Sequence, residues 1–521
     1  MVICWDVETD VLVVGGGAAG MMAAIQAAKE GCNVLMITDG ACASTGILGF
    51  NALVSEADSR ERFCRDIMKG GWGLGDPNLV ETFVDGTTRA VKDLEQMGVL
   101  FDKKPDGTYH LLQPLGCSVP RLVHSKNKTG IHSLSAMGAA LERLGVMVWE
   151  HTVACGLRRL EGRVVGAWAY NAKQNEPWCI RAKAVVMATG GGHMLKGSTY
   201  PVCQTGDGYA MGYRAGAKLR DMEFFQHEPC RAIWPRPLGI STTLLAKGGR
   251  LTNALGERFV LKMYPNEGAA PKDVLARLIS MEIRAGRGTP HGGVWLDLTD
   301  LAEDETRVQH ALYYQRFLSE GIDLCRQRVE VAPAAHSIMG GICVAADCST
   351  DATGLFAAGE AMGGLHGACR LGGNAGSEVY VFGAIAGKSA AQFARTISRW
   401  DCDEPELDWN VEEGTSSFPR YIQAITQSRE ILSRAMGPIR DGKGLKAAMV
   451  QLQEIENSLH PQQTMNWNDR IACFKAQNLL LVGKMMLASA DQRTESRGVH
   501  FREDYPQLDD RQWKKSILIP G

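Results

Sequence analysis

The pattern of hydrophobic residues predicts an α/β fold that begins near the N-terminus. The segment DVLVVGGGAAGMMAAIQAAKEGCNVLMITDG predicts a strand over 10–14, a helix over 18–29 and a second strand over 33–37. Two further apolar segments, 182–192 and 354–364, also end in glycines. Because three apolar segments with the same glycine-rich ending lie far apart along the chain, they predict one sheet interrupted by inserted segments.

The rest of the chain shows two other patterns. Residues 225–340 contain short apolar runs and a helical segment, PKDVLARLISMEIRAG, and predict an inserted domain. Beyond about residue 410 the pattern is helical. One of these helices carries an apolar face made by residues at three- and four-residue spacing, namely Leu445, Met449, Leu452, Ile455 and Leu459. Together with IACFKAQNLLLVGKMMLASA it predicts a packed helical bundle.

Composition and charge exclude several classes of function. The chain has 521 residues, of which 45% are hydrophobic and 22% charged, and its net charge is −2. This balance is typical of a globular protein and does not indicate nucleic-acid binding. No run of about 18 or more apolar residues occurs, so the sequence predicts no direct membrane span. Fifteen scattered cysteines without a CxxC pair, and no targeting segment, predict a cytoplasmic protein without its own iron–sulfur or zinc site.

A glycine motif lies between the first predicted strand and helix. Gly15, Gly17 and Gly20 follow the G-x-G-x-x-G spacing, which lets backbone N–H groups at a helix N-terminus bind a pyrophosphate. The acidic residue usual at the end of the second strand is replaced by Thr38 and then Asp39, either of which could bind a ribose hydroxyl. The motif predicts dinucleotide binding, but NAD and FAD share it.

Seven further motifs occur in order along the chain and identify a family. They are VVMATGG, QTGDGYAMGYRAGAKLRDMEFFQ, GERF, HSIMGGI, GLFAAGEA, HGACRLGGNAGSEV and ESRGVHFREDYPQLDD. Over residues 8–515 the chain resembles the flavoprotein subunits of succinate dehydrogenase and fumarate reductase, and L-aspartate oxidase. The resemblance implies an α/β fold with a Rossmann-like FAD-binding domain, an inserted α+β capping domain and a C-terminal helical domain. The corresponding residues are 1–224 with 341–408, then 225–340, then 409–490, followed by a C-terminal segment, 491–521.

The resemblance implies FAD as the cofactor and assigns residues to it. Glu360 is placed at the adenosine ribose side of FAD, and Asp207 is placed near the flavin. The full set predicted to bind FAD is Gly15, Gly17, Ala18, Ala19, Gly20, Thr38, Asp39, Ser44, Thr45, Gly46, Ala154, Ala188, Thr189, Gly190, Asp207, Glu360, Arg370, Ala375 and Gly376. In relatives that oxidise succinate, a histidine bonds covalently to FAD; here Cys42 holds that position, so FAD is expected to bind without a covalent link.

The resemblance also implies hydride exchange between the flavin and a small carboxylic acid, with a protein cation as proton donor. Two of the family's carboxylate-binding residues are present, His336 in AAHSIMGGI and Arg370 in HGACRLGGN. An arginine fork matches a carboxylate in two parallel hydrogen bonds. The family's proton-donating arginine is replaced by Lys272 in PKD, and lysine can also donate a proton.

Together with Lys272, two further segments make three departures from the family on one side of this site. In QHEP, Glu228 replaces the family's substrate histidine and His227 precedes it, so both are candidate catalytic residues. The segment STTLLAKGG leaves Ser241 and Thr242 as candidate substrate ligands. A carboxylate at Glu228 would repel an acid and attract an amine, a hydroxyl or a cation. These changes predict that one end of the substrate is not an ordinary carboxylate.

Several functions stay open from the sequence alone. The favoured one is an FAD-dependent oxidoreductase of an unsaturated or amino carboxylic acid, with Lys272 as proton donor or acceptor. Alternatives are a flavoprotein that works with an iron–sulfur electron-transfer subunit, peripheral to a membrane through that partner, and an L-aspartate-oxidase-like enzyme that works alone. Lys272 could also merely pair with Glu228 in a site that has lost the parent activity. An electron-relay role like that of adenylylsulfate reductase is disfavoured because His336 and Arg370 are retained.

Overall fold

The computed structural model describes residues 5–40, 42–240, 242–400, 418–459 and 466–521. The strands are β1 Trp5–Val14, β2 Val34–Ile37, β3 Gly49–Asn51, β4 Leu122–His124, β5 Met147–Trp149, β6 Thr152–Leu160, β7 Arg163–Asn171, β8 Glu176–Met187, β9 Leu219–Arg220, β10 Phe225–Ala232, β11 Leu238–Gly239, β12 Arg250–Thr252, β13 Val294–Asp297, β14 Val329–Ile338, β15 Gly341–Cys343, β16 Leu355–Ala357, β17 Met362–Gly363 and β18 Leu518–Ile519. The helices are α1 Ala18–Lys29, α2 Arg60–Gly70, α3 Pro77–Met97, α4 Thr129–Arg143, α5 Asp207–Arg214, α6 Thr243–Ala246, α7 Lys272–Glu282, α8 Ala311–Leu318, α9 Asn374–Arg395, α10 Phe418–Ala435, α11 Gly442–Ser458, α12 Trp467–Gln492 and α13 Asp510–Trp513.

The largest sheet contains the three strands that the glycine-ended segments predicted. Its order is β5-β2-β1-β8-β7-β6, with β16 beside β8. Strand β8 pairs in parallel with β1 on one side and with β16 on the other. All three strands therefore end at the same edge of the sheet, which confirms the prediction of one interrupted sheet. Helix α1 follows β1 directly and packs against α9.

A second sheet, in the order β11-β10-β14-β13-β12, lies in the segment predicted to be inserted. It has a hydrophobic core of its own, built from residues between Cys230 and Val331, such as Leu275, Ile279 and Phe317. Helix α7 packs on β10 and β14. A separate core is what an inserted domain requires; the boundaries 225 and 340 remain predictions.

The C-terminal helices pack against one another as the apolar face predicted. Helices α10, α11 and α12 are in mutual contact, and Leu445, Leu452 and Leu459 are buried. Helix α12 is long and apolar enough to cross a membrane, although the sequence predicted no span. However, 61% of its apolar window is buried inside the protein, and a core helix passes the same test of length and composition. Helix α12 is therefore only weak evidence that the chain spans a membrane.

Buried ion pairs attach the C-terminal segment to the base of the inserted region. Arg493 Nε lies 2.7 Å from Glu223 Oε1, and neither side chain is exposed. Strand β18 then pairs with β9. Because a buried charge without its partner is strongly destabilising, this pair holds the segment after α12 against the start of β10.

Candidate cofactor and substrate site

One cavity of about 650 Å³ joins the edge of the large sheet to the inserted region. Its walls include Gly15 after β1, Glu360 after β16, and Arg370 before α9. From the inserted region they include Glu228 on β10 and Lys272 at the start of α7. A groove that receives the carboxyl ends of parallel strands is a common ligand site in α/β folds.

The glycine turn leaves backbone exposed to this cavity. Gly15 has φ +121°, and a Cβ there would lie 2.2 Å from the carbonyl oxygen of Ala188. Gly17 precedes the first turn of α1, and the next N–H, that of Ala18, donates to Ser44 Oγ at 3.0 Å. A Cβ at Gly20 would lie 1.9 Å from the carbonyl oxygen of Gly15, so Gly20 supports the turn from behind. The turn therefore fits a pyrophosphate at a helix N-terminus.

Replacing Gly15 with alanine is expected to abolish most FAD binding. The added methyl group would clash with Ala188, and the backbone angle disfavours any side chain. The flavin-to-protein absorbance ratio of the purified variant measures the loss. Gly138→Ala is the matched control, since nothing lies within 4 Å of a Cβ at that position. Normal flavin content in Gly15→Ala would contradict the placement of the pyrophosphate.

The residues after β2 have a partner that the sequence did not reveal. Asp39 Oδ2 lies 2.5 Å from Lys475 Nζ on α12. Thr38 Oγ1 accepts a hydrogen bond from the N–H of Gly40 at 3.2 Å. Both residues line the cavity, so a ribose role for either remains a prediction. Lys475 was missed because it lies on a distant helix without a motif.

Asp207, one of the acidic residues predicted to bind FAD, is held by hydrogen bonds. Asp207, at the start of α5, accepts from Asn478 Nδ2 at 2.7 Å and from Thr205 Oγ1 at 2.8 Å, and burial raises its pKa.

Glu360 is held on both of its carboxyl oxygens. Oε1 accepts from the N–H of Ile338 at 2.8 Å, and the Tyr200 hydroxyl contacts Oε2. Burial raises the pKa of Glu360 to about 8, so its carboxyl is largely protonated at neutral pH. A protonated carboxyl has both a donor and acceptors, which suits a hydroxyl group of a ligand.

Arg370 is buried with part of its guanidinium unsatisfied. Its backbone is fixed by Gln226, whose side chain accepts from the Arg370 N–H at 3.3 Å and donates to the Arg370 carbonyl at 3.2 Å. Among the described residues, its Nε has no hydrogen-bond partner. A buried cation with an open donor requires an anion or acceptor to compensate it.

Lys272 and Glu228 form an ion pair in the wall of the same cavity. Lys272 Nζ lies 2.6 Å from Glu228 Oε2, and the two side chains are 15% and 16% exposed. Burial raises the pKa of Glu228, but Lys272, His336 and Arg370 outweigh burial and leave it lowered. Glu228 is therefore ionised at neutral pH. Lys272 is the first residue of α7, where the positive end of the helix dipole disfavours a cation. The carboxylate of Glu228 offsets this unfavourable interaction.

His336 is a neutral imidazole in this setting. Burial lowers its pKa to about 3; Glu228 opposes that shift, while Arg370 and Lys272 add to it. Its Nδ1 lies 2.9 Å from Thr199 Oγ1. His336 can thus exchange a hydrogen bond with a ligand without adding a charge.

The structure does not bring every predicted residue to the cavity. His227 is not among the residues that line the cavity, and its ring lies 5.7 Å from that of Phe225; a catalytic role for it remains a prediction. Burial, with Arg440 adding, lowers the pKa of His227 to about 3. Thr242 lines the cavity, whereas Ser241 lies outside the described residues.

The other predicted FAD residues line the cavity, apart from Gly20 behind the turn. They are Gly15, Gly17, Ala18, Ala19, Thr38, Asp39, Ser44, Thr45, Gly46, Ala154, Ala188, Thr189, Gly190, Asp207, Glu360, Arg370, Ala375 and Gly376. Lining residues that the sequence reasoning missed include Thr199, Tyr200, Arg231, Tyr313 and Arg316. None of these lies in a recognised functional motif, so only the folded arrangement reveals them.

Family comparisons agree with the geometry. Residues 10–375 match the family described as "FAD binding domain", and residues 426–520 match "Fumarate reductase flavoprotein C-term". The first match alone covers more than half of the chain and contains the whole glycine turn and Arg370.

Individual proteins are similar over nearly their full length. An FAD-dependent oxidoreductase of Methanocaldococcus jannaschii is 34% identical over 99% of this chain and 96% of its own. A fumarate reductase (CoM/CoB) subunit of Methanothermobacter marburgensis is 32% identical over 98% of this chain and 97% of its own. L-aspartate oxidase of Acinetobacter baylyi is 30% identical over 98% of this chain and 96% of its own. Among solved structures, E. coli quinol fumarate reductase FrdA superimposes with a TM-score of 0.89 at 27% identity, over 99% of this chain and 94% of that one.

Proposed function

The chain belongs to the flavoprotein family of fumarate reductase, succinate dehydrogenase and L-aspartate oxidase, and we propose that this FAD-dependent oxidoreductase reduces the double bond of an unsaturated carboxylic acid. The resemblance drawn from the motifs is thereby confirmed. Bound FAD supplies hydride exchange at the flavin. Cys42 lines the cavity in place of the family's histidine, which supports FAD binding without a covalent bond.

The guanidinium of Arg370 carries the proposal: among the described residues its one hydrogen bond runs from Nη1 to the carbonyl oxygen of Leu371 at 3.4 Å. It is buried beside the cavity, and its Nε lacks a partner among the described residues. A substrate carboxylate supplies the anion that such a group needs. His336 lines the same cavity and, as a neutral imidazole, can hydrogen-bond that carboxylate. These two residues would orient the acid against the flavin.

Lys272 is proposed to deliver the proton. Its ammonium would protonate the carbon next to the carboxylate while the adjacent carbon accepts the hydride, and solvent would then reprotonate Lys272. Glu228 holds the ammonium at 2.6 Å and so orients it in the cavity wall. Since this pairing neutralises Glu228, the pair supports an anionic substrate better than the amine that an unpaired Glu228 would attract.

The similar proteins suggest an electron donor and a cellular location for this chain. The relative from Methanothermobacter marburgensis carries the name of a fumarate reductase subunit. We propose that a separate iron–sulfur protein supplies electrons here, and that the chain is cytoplasmic, at a membrane only through such a partner. Co-purification of a brown iron–sulfur protein with the native chain would support this assignment, whereas a lone yellow flavoprotein would contradict it.

A substrate screen tests the reduction. The holoenzyme is reduced without oxygen, and flavin reoxidation is followed on adding fumarate, iminoaspartate or other unsaturated acids. We expect at least one unsaturated acid to reoxidise the flavin and yield its saturated product. If only oxygen reoxidises the flavin, the proposed reductase is wrong. If L-aspartate reduces the oxidised flavin and no carbon–carbon double bond is reduced, the enzyme is an oxidase instead.

A further inference from the structure

Helix α12 of the C-terminal helical bundle (α10, α11 and α12) contacts two acidic residues of the cofactor cavity. Lys475 and Asn478 lie three residues apart on this helix and therefore share one face. Lys475 Nζ lies 2.5 Å from Asp39 Oδ2, and Asn478 Nδ2 donates to Asp207 Oδ1 at 2.7 Å. Asp39 and Asp207 line the cavity, whereas Lys475 and Asn478 are not among its lining residues. One face of α12 thus holds two acids of the predicted FAD site from outside the cavity.

Asp39 lies close to the glycine turn that fits the pyrophosphate. A Cβ at Gly16 would lie 2.6 Å from Thr38 Oγ1, so the turn packs against the residue that follows β2. Asp39 comes directly after Thr38, and its side chain in the cavity wall is 40% exposed. Because like charges repel, an unpaired carboxylate at this position would oppose binding of the doubly negative pyrophosphate of FAD. The site therefore needs a cation beside Asp39.

Lys475 is that cation. Burial lowers its pKa, but Asp39 and Asp207 outweigh burial and leave the pKa raised, so the ammonium is charged at neutral pH. Its side chain is only 13% exposed, which protects the ion pair from screening by salt better than a pair on the open surface. Among the described residues, Asp39 has no other cationic partner. The negative charge at this end of the cavity is thus compensated from the helical bundle alone.

A second helix of the bundle supports the neighbouring wall of the cavity. Arg429 on α10 donates hydrogen bonds through Nε and Nη2 to backbone carbonyl groups within residues 193–204. In this loop Tyr200 lines the cavity and contacts Glu360. The bundle therefore holds both an acid of the cavity and a loop of its wall in place.

We propose that Lys475 is a cofactor-positioning residue: by neutralising Asp39 it lets the cavity accept the pyrophosphate, so that the C-terminal helical bundle controls how firmly FAD is retained. This role depends on FAD binding and not on the acid that the enzyme reduces. It can therefore be tested on the oxidised holoenzyme without any substrate.

The rate of FAD release from the diluted holoenzyme measures the effect, with free flavin followed by its fluorescence. Lys475→Met should release FAD about 5- to 30-fold faster at low salt, because it leaves an unpaired carboxylate near the pyrophosphate. High salt should shrink this difference, since it screens the repulsion. Lys475→Arg keeps the charge and should release FAD at nearly the unaltered rate. Unchanged release from Lys475→Met at low salt would contradict the role.

A double variant separates charge compensation from packing of the Lys475 side chain. Lys475→Met combined with Asp39→Asn leaves no unpaired charge and should restore most of the FAD retention. If Lys475 acts only through packing, the double variant stays as fast as Lys475→Met. The double variant decides the question even if Lys475→Met does not fold, because its retention of FAD supports the role and fast release contradicts it.

Lys484→Met is the matched control on the same helix. Lys484 Nζ lies 2.5 Å from Glu456 Oε2, and neither residue lines the cavity. This variant breaks an ion pair of α12 with the same separation and should leave FAD release unchanged. If Lys484→Met releases FAD as fast as Lys475→Met, the effect is a general loosening of α12 and the proposed role of Lys475 is wrong.

Discussion

Replacing Lys272 with methionine is expected to lower turnover by about 10²- to 10⁴-fold, the range for loss of a general acid. The FAD content should not change, because the residues of the glycine turn are untouched. Methionine keeps most of the side-chain volume, so packing at the start of α7 is preserved. The rate of flavin reoxidation by a saturating unsaturated acid measures the effect, since it reports the step in which the proton is delivered.

A double variant separates proton donation from mere ion pairing. If Lys272 only compensates Glu228 at 2.6 Å, the loss in Lys272→Met comes from a buried, unpaired carboxylate. Lys272→Met combined with Glu228→Gln would then recover most of the activity. If Lys272 donates the proton, the double variant stays as slow as Lys272→Met. Recovery in the double variant would contradict the assigned role.

Arg370→Lys is expected to lower kcat/KM for the acid by about 100-fold or more. Lysine keeps the charge but cannot make two parallel hydrogen bonds to a carboxylate, and losing a buried charged contact typically costs about 2–5 kcal/mol. Steady-state kinetics of the variant, corrected for its flavin content, give the ratio. Because Arg370 is also predicted to contact FAD, the flavin content must be measured first. A variant with full flavin and an unchanged kcat/KM would exclude Arg370 as the carboxylate anchor.

Much of the fold follows from local patterns. The glycine-ended apolar segments predicted that β1, β8 and β16 share one sheet, because burial of both sheet faces demands continuous apolar strands. The predicted bounds of the first helix, 18–29, are the same as those of α1 in the structure. The segment 182–192 was placed too far along the chain, since β8 runs from Glu176 to Met187. The segment 354–364 was predicted too long, since β16 runs only from Leu355 to Ala357.

The site was predictable only where a motif or a strand carries the residue. Arg370, His336 and Lys272 were found because their neighbours match family motifs. His227 does not line the cavity although its neighbour Glu228 does, since a motif gives a position but not the direction in which the side chain points. Arg316 and the other lining residues of α8 could not be found, since this helix carries no motif and reaches the cavity only in the folded protein.

The expectation for Glu228 also depended on a partner that the sequence does not show. From the sequence alone its carboxylate predicted attraction of an amine or a cation, because a lone carboxylate attracts positive charge. In the fold Lys272 lies 2.6 Å from it and changes the electrostatics of that end of the cavity. The departures from the family at this end therefore support an ion pair without net charge, which leaves Arg370 as the cation available to an anion.

The most direct test of the central claim compares an unsaturated acid with its methyl ester. The holoenzyme is reduced anaerobically, and flavin reoxidation is timed with the best acid and with the ester, which keeps the double bond but lacks the carboxylate. If Arg370 holds a carboxylate while the double bond is reduced, the acid should reoxidise the flavin at least about 100-fold faster than the ester. Equal rates, or no reoxidation by any unsaturated acid, would contradict the account.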